Sequence, residues 1–412
     1  MQKIIIEGGR PLIGKIRVSG SKNAVLPLIF ASLIAPGISV LHNVPRIGDV
    51  DVAIRIISEL GAKVQRCGDT LVIDATDLSY SSPNPDLISK IRASTYLMGA
   101  SLSRFGIAEP GEFGGCNFSS RPIDYHLAIA VAMGAKRVEN KLIAEKLRGA
   151  KIHLPKPSVG ATVNAAIMAS RADGESEIFG YAKEPHVLSI LDFLSSLGAK
   201  ISVSEESIKI TGSSLHPTEF TVIGDMIEAG SYLVAALMTG GEITVSGIDP
   251  RELISFLEVI SDMGYSPEIS NSSITLDSSI KSKNPRKPIL ISAAPYPAFP
   301  TDLQPIIAPL LSLYSGVITD SVWKERFGYL SALGKMGLKY NTSSGSAKIE
   351  KSRLHRASVT APDLRGGMAL IIAALSAKGR SEIHSPEIIL RGYDSLIEKL
   401  ESLGADIKLV NL

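Results

Sequence analysis

The sequence predicts an α/β fold with two domains, built from six copies of one unit in which apolar helices are enclosed by sheet. Length is the first observation behind this prediction, because 412 residues exceed what one ordinary hydrophobic core accommodates. The other two observations are separate series of glycine-containing phrases that recur along the whole chain. Since 45% of the residues are hydrophobic and 5% aromatic, we expect cores filled mainly by Ala, Ile, Leu and Val.

The first series marks the end of a surface helix in each unit. Segments such as "ILDFLSSLGAK" carry polar residues on one face, as a helix at the surface does. The phrases begin at Leu60, Met133, Leu197, Met263, Met336 and Leu403, as in "LGAKV" and "LGADI". Because glycine after a helix is the usual left-handed cap, each phrase predicts a helix end followed by a strand.

The second series marks the end of a buried helix in each unit. Segments such as "MALIIAALSAKG" are apolar almost all round and rich in Ala, which is typical of a helix with close neighbours on every side. They end at Gly37, Gly106, Gly174, Gly241, Gly316 and Gly379, and alternating strand patterns follow. Six such helices divide into two bundles of three, each wrapped by sheet.

Polar and charged residues stand at the predicted starts of these buried helices. Helix N-termini offer free N–H groups and a partial positive charge, so they suit anions, and nearby Lys or Arg strengthens the effect. If the two bundles point these ends at each other, the cleft between the domains becomes a site for several anions. Taken singly, Ser21, Ser158, Thr301 and Asp363 could equally be simple helix caps. The starts are Lys22 with Asn23, Arg92, Ser158, residues 225–228, Thr301 with Asp302, and residues 363–365.

Composition argues against several classes of partner. The net charge of +2 calls for neither nucleic acid nor a membrane, and nothing indicates an obligate protein partner. Two cysteines give no disulfide framework, and neither has a Cys or His at ligand spacing, so we expect no metal and no cofactor. His126 and His186 are expected to be structural. A cytoplasmic protein is expected, because no signal-peptide order and no run of 18 apolar residues appears.

Cys116 lies in the unusual stretch "GGCNFSSRP", residues 114–122. A free cysteine is usually a small buried hydrophobe. Here the preceding glycines give a mobile backbone, and Arg121 could favour the thiolate. This loop is therefore a candidate reactive site.

Eight motifs together carry a resemblance to a known family over essentially the whole chain. They are "SGSKNAVLP", "RAS", "GGCNFSSRP", "SVGAT", "AFPTD", "RFGYL", "DLRGG" and "RGYDSLIEKLESLGA". In order and spacing they resemble the UDP-N-acetylglucosamine enolpyruvyl transferase (1-carboxyvinyltransferase) family. The resemblance implies two inside-out α/β barrels of three units each, with the active site in the cleft between them. It places domain I at residues 21–229 and domain II at residues 1–20 and 230–412.

The resemblance also implies a reaction. The enolpyruvyl group of phosphoenolpyruvate would pass to the 3′-hydroxyl of UDP-N-acetylglucosamine through a tetrahedral intermediate, in the first committed step of peptidoglycan precursor synthesis. Asp302 would take the proton of the hydroxyl or the proton lost later. Cys116 would protonate C3 or form a covalent adduct, and it would be the thiol alkylated by fosfomycin.

The remaining site residues follow from the same resemblance. Lys22, Arg121 and Arg391 would contact the phosphate and carboxylate of phosphoenolpyruvate, with Arg92 and Arg365 nearby, because guanidinium groups pair well with oxyanions. Asn23 would touch the amino sugar. The nucleotide-sugar pocket would consist of Arg121, Pro122, Ile123, Asp124, Lys156, Ser158, Val159, Gly160, Asp302 and Val322.

Some positions depart from the family pattern, and other functions stay open. Residues 118–120 (Phe-Ser-Ser) replace the usual Ile-Gly and small residue, while Lys324, Met226 and Leu390 stand where other residue types are common. The alternatives are the sister enzyme for shikimate 3-phosphate, a transferase for another nucleotide, and a non-catalytic paralogue that binds the nucleotide sugar. A related fold that acts on RNA ends is disfavoured by the near-neutral charge.

Overall fold

The computed structural model describes residues 2–111, 113–114, 122–280 and 288–411. These residues divide into two compact units. We call the described residues of 20–223 the central unit and those of 1–19 and 224–412 the terminal unit. The second boundary between the two units lies between residues 223 and 224, and the helix Met226–Thr239 packs in the core of the terminal unit.

Helices make up the interior and part of the surface of each unit. None within the described residues is long and apolar enough to cross a membrane. The α-helices are α1 (Lys22–Ala31), α2 (Gly48–Glu59), α3 (Pro85–Ile88), α4 (Tyr96–Phe105), α5 (Asp124–Ala132), α6 (Val159–Ala169), α7 (Pro185–Ser196), α8 (Met226–Thr239), α9 (Ile254–Asp262), α10 (Gln304–Ile307), α11 (Leu330–Gly334), α12 (Leu364–Ser376), α13 (Glu387–Leu390) and α14 (Leu396–Ser402).

The strands are short and numerous. They are β1 (Gln2–Gly8), β2 (Ile13–Arg17), β3 (Ile38–His42), β4 (Lys63–Cys67), β5 (Thr70–Asp74), β6 (Ile107–Ala108), β7 (Lys136–Val138), β8 (Lys141–Ile143), β9 (Lys151–His153), β10 (Glu175–Phe179), β11 (Lys200–Val203), β12 (Ser207–Thr211), β13 (Glu219–Thr221), β14 (Glu242–Ser246), β15 (Glu268–Ser270), β16 (Ser273–Asp277), β17 (Ile289–Ala293), β18 (Gly316–Asp320), β19 (Lys339–Ser343), β20 (Ser346–Glu350), β21 (Ser358–Thr360), β22 (Gly379–His384) and β23 (Asp406–Asn411).

Within the described residues these strands form separate small sheets, three in each of the two units. The central unit has β13-β3-β5-β4, β11-β12-β10-β9 and β6-β8-β7, and the terminal unit has β21-β22-β1-β23, β15-β16-β14-β2 and β17-β18-β20-β19. In each four-stranded sheet, one edge strand is parallel to the strand beside it, and all other neighbouring strands are antiparallel. The six sheets therefore correspond in number to the six predicted sequence repeats.

The first series of glycines ends helices as the sequence predicts. Each has a positive φ, between 93° and 112°, which an L side chain rarely adopts: Gly61, Gly134, Gly198, Gly264, Gly337 and Gly404. The surface helices α2, α5, α7, α9, α11 and α14 end just before them, and a strand follows each one.

The buried helices also occur where they are predicted, with one correction. Helix α4 packs against α1 and α6 in the central unit, while α8, α10 and α12 pack against one another in the terminal unit. The prediction of one continuous helix from about residue 301 to 315 is wrong. Helix α10 has a single turn, and the chain continues as a 3₁₀ helix, Ala308–Leu313. Pro309 explains the break, because it lacks the N–H that an α-helix would bond to the carbonyl oxygen of residue 305, whereas Pro305 lies in the first turn of α10, where proline is tolerated.

Candidate active site

Lys22 begins helix α1 and is held by an ion pair. Its Nζ lies 2.8 Å from Oδ2 of Asp49 in the first turn of α2, and the two side chains are only 13% and 6% exposed. Burial of both partners makes the pair sensitive to the loss of either one. The structure thus places the predicted cationic residue at a helix start, with a carboxylate partner that the sequence did not indicate. Asn23 follows it on α1.

A second group of predicted residues lies at the starts of α5 and α6. Arg92 donates a hydrogen bond of 3.4 Å to the carbonyl oxygen of Pro122, and Asp124 begins α5. The imidazole of His126 packs on the first turn of α6, where a Cβ added at Gly160 would lie 2.7 Å from Nε2. The structure therefore brings Arg92, Pro122 and Gly160 to one place around His126.

His126 is kept neutral in this group. Burial, and to a lesser extent the charge of Arg92, lower the pKa of its imidazole to about 4, and the charge of Asp124 opposes the change. The Nδ1 atom of the buried ring has no hydrogen-bond partner among the described residues, so the structural role expected for His126 stays a prediction. Ser158 caps α6 by accepting a bond of 3.4 Å from the amide of Ala161, so its capping role is observed.

The other predicted residues of the central unit are less enclosed. Pro122, Asp124 and Lys156 are exposed, whereas Ile123 and Val159 are half-buried. Cys116 and Arg121, like residues 118–120, lie outside the described residues. In the part of the chain that the structure describes, no group of three His, Cys, Asp or Glu side chains could hold a metal ion.

Asp302 lies in the terminal unit between two buried guanidinium groups. Its Oδ1 is 2.8 Å from Nη1 of Arg326, and its Oδ2 is 3.2 Å from Nη2 of Arg365. The Asp302 side chain is 28% exposed, against 6% for Arg326 and 3% for Arg365. Both arginines favour the anionic carboxylate, because charge-assisted hydrogen bonds of this kind are strong when they are shielded from water.

Asp363 and Tyr393 fix the position of Arg365. Asp363 caps α12 by accepting bonds of 3.0 and 2.9 Å from the amides of Arg365 and Gly366, as expected for a helix start. The guanidinium carbon of Arg365 lies 5.4 Å from the centroid of the Tyr393 ring. The Tyr393 hydroxyl in turn contacts Ser231 Oγ of α8 at 2.9 Å. Two helices therefore support the orientation of Arg365.

Asp320 organises the segment that carries Val322. Its Oδ1 accepts hydrogen bonds of 2.9 and 2.8 Å from the amides of Val322 and Trp323, and its Oδ2 accepts one of 2.6 Å from the hydroxyl of Thr301. Burial raises the pKa of Asp320, and these three donors oppose the change. Thr301 therefore donates to a carboxylate instead of capping a helix, and α10 begins only at Gln304.

Arg391 is the last of the predicted residues in the terminal unit. It is half-buried at the end of the short helix α13. The predicted set thus divides, with Asp302, Val322, Arg365 and Arg391 in the terminal unit and the other described members in the central unit.

Sequence reasoning missed four supporting residues, Asp49, Asp320, Arg326 and Tyr393. Arg326 and Tyr393 lie in the motifs "RFGYL" and "RGYDSLIEKLESLGA". These motifs supported the family resemblance, but they did not indicate what either residue contacts. Asp49 and Asp320 gave no signal, because their partners are distant in sequence.

Known proteins with the same fold identify the family. The matching family model is that of EPSP synthase (3-phosphoshikimate 1-carboxyvinyltransferase), and it covers residues 6–400. The chain therefore belongs to this family of enolpyruvyl transferases. The solved structure of the enolpyruvyl transferase NikO from Streptomyces tendae matches with a TM-score of 0.90 and 25% identity, over 100% of this chain and 99% of that chain. The predicted fold class is confirmed.

Two relatives match over the full length. UDP-N-acetylglucosamine 1-carboxyvinyltransferase 3 of Caldanaerobacter subterraneus subsp. tengcongensis is 42% identical over 416 residues, 99% of each chain. UDP-N-acetylglucosamine 1-carboxyvinyltransferase of Halothermothrix orenii is 40% identical over 418 residues, 100% of each chain. The resemblance stated from the sequence motifs is therefore confirmed.

Proposed function

We propose that the protein transfers the enolpyruvyl group of phosphoenolpyruvate to the 3′-hydroxyl of UDP-N-acetylglucosamine and releases phosphate. The observation that carries the proposal is the 42% identity, over 99% of both chains, to a UDP-N-acetylglucosamine 1-carboxyvinyltransferase. The partly exposed Asp302 carboxylate, fixed by Arg326 and Arg365, supports it because the reaction needs an oriented proton acceptor. The product would be a precursor of peptidoglycan.

The reaction has two steps. In the first, the 3′-oxygen bonds to C2 of phosphoenolpyruvate, the hydroxyl proton leaves, and C3 gains a proton, which gives a tetrahedral ketal. In the second, C3 loses a proton as the C–O bond to phosphate breaks. Asp302 takes the hydroxyl proton or the later one, and Cys116 protonates C3 or forms an adduct.

Cationic residues bind the two anionic groups of phosphoenolpyruvate in this proposal. Lys22, Arg121 and Arg391 take its phosphate and carboxylate, with Arg92 and Arg365 nearby. Lys22 is already paired with Asp49. To bind the substrate anion, its ammonium group must either contact both anions at once or break the ion pair with Asp49.

Phosphate release from phosphoenolpyruvate by the purified protein tests the proposal. We expect release with UDP-N-acetylglucosamine and none without an acceptor. If phosphate is released with shikimate 3-phosphate and not with the nucleotide sugar, the protein is instead a 3-phosphoshikimate 1-carboxyvinyltransferase, the enzyme after which the matching family model is named. Binding of the nucleotide sugar without turnover would identify a non-catalytic paralogue.

Fosfomycin tests the role of the Cys116 loop. We expect the epoxide to stop turnover and to add to Cys116 but not to Cys67, whose exposed thiol is an internal control. Cys116→Asp is expected to keep turnover and resist the drug, because a carboxylic acid donates a proton but lacks the nucleophilic sulfur. Loss of all turnover in this variant would mean that the sulfur itself is required.

A further inference from the structure

Asp302 lies in a turn before helix α10 and not in a regular element. Residues 301–303 form turns, and helix α10 starts only at Gln304. The orientation of the carboxylate therefore depends on what its two oxygens contact. Arg365 holds Oδ2 from helix α12, and Arg326 holds Oδ1 from the segment after β18.

Arg326 makes a second contact that links it to the neighbour of Asp302. Its Nη1 lies 2.8 Å from Asp302 Oδ1 and 3.1 Å from Thr301 Oγ1. A guanidinium nitrogen of this kind carries two hydrogens and cannot accept, so it donates one to each oxygen. The Thr301 hydroxyl is thus an acceptor toward Arg326, and its own hydrogen is available for another partner.

That partner is the buried carboxylate of Asp320. Thr301 Oγ1 lies 2.6 Å from Asp320 Oδ2, so the hydroxyl donates in this direction. Asp320 is 2% exposed and ends strand β18, which β17 and β20 hold on both sides. The chain of contacts from Asp320 through Thr301 to Arg326 therefore starts on a rigid strand.

Asp320 also fixes the backbone that leads to Arg326. Its other oxygen accepts from the amides of Val322 and Trp323, and the amide of Arg326 donates to the carbonyl of Trp323 at 3.1 Å. One buried carboxylate thus controls both the backbone approach of Arg326 and, through a hydroxyl, its guanidinium. Accurate placement of a reacting group is worth large factors in rate.

We propose that Thr301 and Asp320 are positioning residues, which act through Arg326 to set the orientation of the Asp302 carboxylate for proton transfer. This inference rests on the proposed function, because it concerns the same reaction. Neither residue needs to touch a substrate.

Thr301→Val is the decisive variant, and Thr301→Ser is its matched control. Valine keeps the branched shape and removes the hydroxyl, whereas serine keeps the hydroxyl. We expect Thr301→Val to lower kcat about 10- to 100-fold with the KM for UDP-N-acetylglucosamine within about threefold of the parent value. Thr301→Ser should stay within about threefold of the parent in both constants.

Asp320→Asn adds a double-mutant cycle. The amide nitrogen that replaces one oxygen cannot accept the Thr301 hydrogen, so kcat should fall as in Thr301→Val. Because both changes break the link through the hydroxyl, and Asp320→Asn can also disturb the Val322 and Trp323 amides, the double variant should lose less than the sum of the two single losses. A parent-like kcat in Thr301→Val, equal damage in Thr301→Ser, or additive losses in the double variant would overturn the inference.

A second double-mutant cycle, of Thr301→Val with Asp302→Asn, tests the inference without using activity. Absence of turnover in the parent protein would refute the proposed function but would leave this test intact. Its readout is the urea midpoint of unfolding. Asp302→Asn should lower this midpoint less in a Thr301→Val background than in the parent, because the contact to Arg326 is already weakened. Equal lowering in both backgrounds would show that Thr301 does not influence Asp302.

Discussion

Asp302 is open to solvent on one side and faces two buried guanidinium groups on the other. The sequence-based expectation for Asp302→Asn is loss of turnover in an intact fold. The structure adds a cost in stability, because removing the negative charge leaves two buried cations with weaker partners.

We expect Asp302→Asn to lower kcat at least about 100-fold and the free energy of unfolding by about 1–3 kcal/mol. Steady-state phosphate release and urea denaturation measure the two effects. A near-normal rate would remove Asp302 from proton transfer, and unchanged stability would mean that the arginines find other partners.

Glu252 is a second residue with an unusual environment. It lies in the 3₁₀ turn Pro250–Leu253, with Oε2 buried and without a hydrogen-bond partner among the described residues. Burial, together with the charges of Asp249 and Asp225, raises the pKa of Glu252 from 4.5 to about 8, against the opposing charge of Arg251. The folded protein therefore binds this proton more tightly than the unfolded chain does.

The sign of the pH effect follows from this difference. The stabilising contribution of Glu252 is complete below pH 4.5 and is lost as the pH rises toward 8. Glu252→Gln, which stays neutral, should have a free energy of unfolding about 1 kcal/mol or more above that of the parent at alkaline pH. This difference should be smallest near pH 4.5. Urea unfolding across this range measures the effect, with Glu258→Gln on the exposed face of α9 as the control. A constant difference between Glu252→Gln and the parent would contradict the prediction.

At the scale of elements, helices α4 and α6 are in direct contact at Gly99. Its amide donates a bond of 2.9 Å to Oδ1 of Asn164, whose Nδ2 donates to the carbonyl oxygen of Gly160 at 3.0 Å. A Cβ at Gly99 would lie 2.7 Å from that Oδ1 atom. Asn164 is fully buried, so it has no room to withdraw.

Gly99→Ala should therefore lower the free energy of unfolding by about 1–3 kcal/mol, since overpacking forces the two helices apart. Gly328→Ala is the control, because a Cβ there meets nothing within 4 Å. Thermal unfolding of both variants checks the prediction, and equal stability of the two would contradict it.

Elements were predictable where the signal is local. A glycine that must adopt positive φ, such as Gly61 or Gly404, is visible in the sequence, and so is an apolar helix face. The break after α10 was harder to predict, because the apolar pattern on both sides of Pro309 is that of one continuous helix. The ion pairs of Asp302 could not be derived from a local pattern, since Arg326 and Arg365 approach it from distant segments, and only the family resemblance placed Arg365 in the same site.

At the scale of the molecule, the first strands belong to the unit that the last residues complete. Strand β1 lies between β22 and β23, and β2 is the parallel neighbour of β14. Gln2 pairs with Asn411 in this arrangement, and their side chains are 3.0 Å apart. The terminal unit therefore needs residues 1–19 for two of its three sheets.

A rearranged chain tests this dependence. We expect residues 224–412 joined by a short linker to residues 1–19 to fold, because the joined ends are neighbours in one sheet. Residues 224–412 alone should not fold, because β22 and β23 lose the strand between them. Circular dichroism and amide hydrogen exchange measure the result, and equally stable folding of both chains would contradict the prediction.

The central position of β1 has a consequence for synthesis on the ribosome. Strands β1 and β2 emerge before the central unit, but β2 meets its partner β14 only after that unit, and β1 meets β22 and β23 later still. The central unit, encoded without interruption, is complete long before that. We expect nascent chains that stop near residue 230 to hold one folded unit and an exposed, apolar leading strand, which is the stage at which a chaperone would bind.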